Sequence, residues 1–164
     1  MSTLRPRSAQ DPSQAPGSPA RAAGGDPAPL STEEHGELDR AARRLHSELV
    51  ALLQAVPEEA RNASGLARHL EVDRTTCQRA VYVASRPYPG LEVLERLPGA
   101  RALRSLIEAT RAADPPTSAD TLDALEVAAR QYRRLVSTLG GSLAQVQRRL
   151  ALGTGTGAAP VGRG

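Results

Sequence analysis

The large apolar residues of this chain recur at helical steps. Leu38, Ala42, Leu45, Leu49, Leu52, Leu53 and Val56 follow one another at intervals of mostly three and four, which gathers them on one side of an α-helix. Leu122, Leu125, Ala129, Tyr132, Val136 and Leu139 repeat the pattern, and Leu103, Leu106, Ile107 and Thr110 carry a shorter version of it. No segment sustains the period-two alternation of a half-buried strand, and no repeat of fixed period is present. The residues available for a core point the same way. Tyr82, Tyr88 and Tyr132 are the only aromatics, so the interior is built from Leu, Val, Ala and Ile. That favours packed helices over a sandwich, because strands draw on β-branched and aromatic side chains. It also argues against a reader of single-stranded nucleic acid, which needs aromatic platforms for base stacking.

Turn residues divide the stripes. Ser31 and Glu34 have the spacing of a capping box and open a helix expected over about 32–55, and Pro57 stops this helix or starts the next turn. Arg86-Pro-Tyr-Pro-Gly90 is incompatible with a helix or a central strand and predicts a rigid loop. A short helix at 91–96 ends at Pro98-Gly99, a second helix is expected over 100–112, and Asp114-Pro-Pro-Thr117 breaks the chain again. Ser118 or Asp120 can cap a long helix running to about 138, ended by Gly140-Gly141. Ser142 and Gln145 form another capping-box pair, opening a last helix to about 151.

Charge is unevenly placed. All 21 basic residues are Arg, and the net charge is +3. Residues 31–60 hold three Arg against seven Asp or Glu, whereas residues 61–104 hold eight Arg against four. An acidic first helix thus precedes a basic middle, a distribution that suits a polyanion-binding face on one part of the domain.

That basic middle contains the segment Ala63–Tyr82, ASGLARHLEVDRTTCQRAVY. Two short helices joined by a tight turn need a small residue in the first helix, apolar anchors on both inner faces and polar residues outward on the second. Ala67 supplies the small residue, Leu66, Leu70, Val72, Cys77, Ala80 and Val81 the anchors, and Asp73, Arg74, Thr75, Thr76, Gln78 and Arg79 the polar face. Counted from Ala67, the offsets to Leu70, Val72, Cys77 and Ala80 resemble those of the helix-turn-helix of bacterial transcription regulators, and LEVDRTTCQRA is similar to that superfamily's turn and recognition helix. The resemblance covers about 20 of the residues. It departs at the turn: the position after Leu70 is commonly Gly, since its backbone favours positive φ, and here it is Glu71.

The resemblance implies duplex DNA as the partner, read in the major groove by a second helix over about 74–84. Arg74 and Arg79 would bond guanine, Gln78 adenine, and Thr75 and Thr76 bases, thymine methyls or phosphate. Asn62 and Ser64, at the start of the first helix, and Arg61, Arg68 and Arg86 would contact phosphates. It also implies a homodimer on a two-fold site, for which the stripes at 38–56 and 122–139 are the candidate surfaces. The expected organisation is an all-α chain: a Pro-, Ala- and Ser-rich disordered tail over 1–30, a helix-turn-helix domain with a three-helix core over 31–99, a C-terminal helical hairpin or bundle over 100–152, able to pair protomers or sense an effector, and a disordered tail over 153–164. The alternative reading is a helical protein–protein interaction module that does not touch DNA.

Other signals carry less. One Cys excludes an internal disulfide. No apolar signal region opens the chain and no segment has 18 consecutive apolar residues, so the expectation is a cytoplasmic protein without a membrane span. His35, His46, His69 and Cys77 show no zinc-ligand spacing, and neither metal nor cofactor is expected. Asn62-Ala-Ser64 fits a glycosylation sequon only by chance in such a protein. Gly153-Thr-Gly-Thr-Gly157 lacks the preceding strand and following Lys of a phosphate loop. No nucleophile–base set has supporting motif context, so the chain is not expected to be an enzyme.

Overall fold

Ser31 and Glu34 start the first helix by capping each other. The Ser31 hydroxyl accepts from the Glu34 N–H at 3.1 Å, and the Glu34 carboxylate accepts from the Ser31 N–H at 2.7 Å. The computed structural model describes residues 26–113 and 117–154. Within them, helices α1 (Thr32–Ala55), α2 (Ala63–Leu70), α3 (Arg74–Ala84), α4 (Ala100–Ala112), α5 (Ala119–Gly140) and α6 (Leu143–Thr154) occur in order. Two 3₁₀ turns, Glu58–Ala60 and Leu91–Glu95, complete the regular structure, and no strand occurs among the described residues. The segment expected as a short helix at 91–96 is thus a 3₁₀ turn, entered through Gly90 at φ 81°. The tails expected over 1–30 and 153–164 lie outside the described residues except at their inner ends: Asp26–Leu30 has no regular secondary structure, and Gly153 and Thr154 continue α6. The break expected at Asp114-Pro-Pro-Thr also falls largely outside them.

The core is continuous from α1 to α6. Leu38, Ala42, Leu45, Leu49 and Leu52 of α1 are buried, as are Leu122, Leu125, Ala128, Tyr132 and Leu139 of α5, and these two helices share the most extensive contact in the fold. This corrects one expectation. The two long stripes offered as dimer surfaces are the ones that pack on each other within the protomer. A helical stripe marks what must be buried and does not say against which copy of the chain. The core also crosses the boundary expected at 99/100, since α1 packs on α3 as well as on α5.

Two ties fix the remaining elements on this pair. The 86–90 loop is held to α1: His46 Nε2 donates to the Arg86 carbonyl at 2.9 Å, and the Tyr88 hydroxyl donates to Asp39 Oδ1 at 2.8 Å. Arg43 covers the Tyr88 ring at 4.5 Å. At the other end, Gly141 closes α5 at φ 76°, and the Gln145 N–H donates to the Ser142 hydroxyl, which is half of the expected capping box. Arg149 of α6 then donates to the carbonyls of Ala28, Pro29 and Leu139 and to the Glu34 carboxylate. The Ser118 side chain makes no cap bond to α5.

Candidate nucleic-acid interface

Helices α2 and α3 owe their ends to named side chains. Asn62 Oδ1 accepts from the Gly65 N–H at 2.8 Å, and Asp73 Oδ2 accepts from the Thr76 N–H at 2.9 Å, each answering one free donor of a first turn. Between them, Glu71 adopts φ 53° and ψ 38°, the left-handed conformation that the turn requires. The Val72 N–H reaches back to the Ala67 carbonyl at 3.3 Å, the long-range bond of a Schellman close. The three-residue turn Glu71-Val72-Asp73 thereby reverses the chain so that Leu66 and Leu70 meet Cys77 and Ala80 in the core.

The small residue that the packing depends on is Gly65. A Cβ there would stand 2.3 Å from the Glu59 carbonyl oxygen and 3.0 Å from Ala60 Cα. That close approach is to the 3₁₀ turn before α2; Ala67, the expected small residue, is partly buried and packed against the core. Cys77 lies fully inside, where burial and the neighbouring Asp73 push its thiol pKa up and leave it a protonated core residue.

Burying Cys77, Ala80 and Val83 turns the opposite side of α3 outward. Thr75, Gln78, Arg79 and Tyr82, at steps of three and four, line one shallow groove of about 240 Å³, with Glu95 at the end of the second 3₁₀ turn and Arg96 just after it as the other wall. Arg86 stacks 3.5 Å from the centroid of the Tyr82 ring and Arg96 lies 5.3 Å from it. Three expected base-contacting residues, Thr75, Gln78 and Arg79, are thus brought together. Arg74 is exposed at the first turn of α3, and Thr76 is half-buried beside the groove. The ion pairs among the described residues all involve Arg43, Arg111, Arg130 or Arg149, so the guanidinium groups of Arg74, Arg79, Arg86 and Arg96 hold no carboxylate.

The expected phosphate contacts divide. Ser64 and Arg68 are exposed on α2, although Arg68 Nε already donates to the Ser64 carbonyl at 3.4 Å. Arg61 is spent on the end of α1, donating to the carbonyls of Val56 at 3.1 Å and Gln54 at 2.8 Å. The Asn62 amide is engaged at both ends, since its Nδ2 donates to the Glu59 carbonyl at 3.1 Å. Tyr82 and Arg96 were not among the expected site residues. Tyr82 could have been found by extending the step from Thr75 and Gln78 by one turn; Arg96 is delivered by the loop closure against α1 and has no local signal.

Comparison with family models, with curated proteins and with solved structures finds no match to this chain, so the chemistry of the groove itself carries the functional reading.

Proposed function

We propose that the chain binds duplex DNA by laying the outward face of α3 in the major groove, as a regulator of transcription. The observation that carries this reading is the outward face of α3: Thr75, Gln78 and Arg79 line one groove, Arg74 is exposed at the first turn, and no carboxylate among the described residues pairs the two guanidinium groups. Guanidinium and amide side chains are the groups that make two-point bonds to guanine and adenine edges. Arg86 and Arg96, stacked at Tyr82, sit at the far end of the face, where cations contact phosphate and set position and salt dependence. The arginine-rich 61–104 segment supplies the long-range attraction, while Asp73 spends its charge on the α3 N-terminus. Binding as a two-fold pair belongs to the same proposal, through a surface other than the buried α1 and α5 stripes.

Fluorescence anisotropy with a random-sequence duplex pool tests it. Binding should be measurable at low salt and fall as salt rises, and Arg74→Ala with Arg79→Ala should weaken it at least tenfold. No binding, or binding that the double variant leaves unchanged, overturns it.

A further inference from the structure

A second concavity shares no residue with the α3 groove. Helices α4 and α5 and the start of α6 enclose a groove of about 680 Å³, within the roughly 300–1,000 Å³ common for small-molecule sites. Leu103, Ile107, Val136 and Leu143 make its apolar lining. Tyr132 lines it too. This side chain is 7% exposed, and its hydroxyl is buried with no hydrogen-bond partner among the described residues. Burial pushes its pKa up to about 12, and the hydroxyl lies within electrostatic reach of Tyr88 in the core.

The rim is cationic at one level. Arg111 of α4 pairs with Asp123 at 3.3 Å and with Glu126 at 3.1 Å on α5, which fixes the register of this antiparallel helix pair. Two helical turns further along, that register puts Arg104 and Arg133 at about the same level. Both line the groove, and neither has an anionic partner among the described residues, whereas Arg111 and Arg130 are paired. Two guanidinium groups with no ion-pair partner among the described residues thus line one apolar trough from its two long helices, with the Glu108 carboxylate one turn from Arg104 as the counter-charge on the lining.

We infer that this groove binds a small amphipathic monoanion, with a carboxylate held at the level of Arg104 and Arg133 and a hydrocarbon body along Leu103, Ile107 and Val136. Planar guanidinium forks match a carboxylate at two points. An apolar trough of this size accommodates a medium acyl chain. The site stands apart from the α3 face, and its test needs no DNA.

The test is isothermal titration of the full chain with decanoate, decyltrimethylammonium and acetate, alongside amide shifts recorded on the decanoate series. Saturable one-to-one binding of decanoate is expected, with decyltrimethylammonium and acetate at least tenfold weaker and shifts concentrated in α4 and α5. Arg104→Gln with Arg133→Gln, both exposed positions that leave the core untouched, should weaken decanoate at least tenfold. Absence of saturable binding, equal affinity for the cationic analogue, or decanoate affinity unmoved by these substitutions overturns the inference. So does a groove whose shifts track protein dilution and not decanoate, since a second copy of the chain would then be its occupant.

Discussion

Glu71 holds a left-handed conformation with a side chain that gains nothing visible in return: it is exposed and makes no hydrogen bond or ion pair among the described residues. For a non-glycine residue that conformation costs about 1–2 kcal/mol, while glycine there would lose roughly 0.5–1 kcal/mol more backbone entropy on folding. Glu71→Gly should therefore stabilise the protein by up to about 1 kcal/mol, read as a raised urea midpoint at unchanged slope, and Glu71→Val should lower it, because a branched Cβ deepens the clash. This position was legible in sequence. The turn after Leu70 demands a positive φ whatever residue stands there, and the anchor spacing placed that turn. Gly65 was not legible in the same way. What forbids a side chain there is the backbone of Glu59 and Ala60, and only the path of the 3₁₀ turn brings it close.

At the scale of elements, periodicity and capping sufficed for most boundaries, since α1, α3 and α4 begin and end where their caps and breakers stand. What joins the elements came from farther away. Arg149 meets Glu34 and the carbonyls before it across 115 and 121 residues, and nothing near Arg149 in the chain announces that contact. The contact has a pH signature. The Ser31 backbone N–H, and then the Arg149 charge, hold the Glu34 carboxyl below its usual pKa. A carboxylate whose folded-state pKa is depressed adds stability that is fully present above its unfolded value of about 4.3 and is lost as pH falls through the folded value. Thermal melts of the wild type and of Glu34→Gln should therefore differ at pH 6 and converge toward pH 3. A difference that persists at low pH would assign the effect to packing and remove the ionic link between α6 and α1. The groove on α3 divides along the same line: Thr75, Gln78 and Arg79 lie on one helical face that the sequence displays, but its second wall, Arg96, depends on the loop that His46 and Asp39 tie to α1.

For the whole molecule, the question is whether residues 31–99 can stand without α4, α5 and α6. The stripes read as two surfaces in sequence because a single chain gives no information on which stripes meet; the structure pairs them, so that α1 serves α3 on one side and α5 on the other. Leu38, Ala42 and Leu45 are 0% exposed on the helix whose most extensive contact is with α5, so removing α5 uncovers much of that buried face. A fragment ending at Gly99 should therefore show weak helical signal and no cooperative melt, whereas the full chain should unfold in one transition seen alike by circular dichroism and tyrosine fluorescence. A single core substitution distinguishes the same two cases without truncation. Leu125 is fully buried on α5, and Leu125→Ala should cost about 2–5 kcal/mol through lost contacts and a residual cavity. If the core is one cooperative unit, that loss lowers hydrogen-exchange protection in α3 by the same amount as in α5. If α3 keeps its protection while α5 loses it, the chain is two units in contact, and the α3 face is carried by a domain of its own.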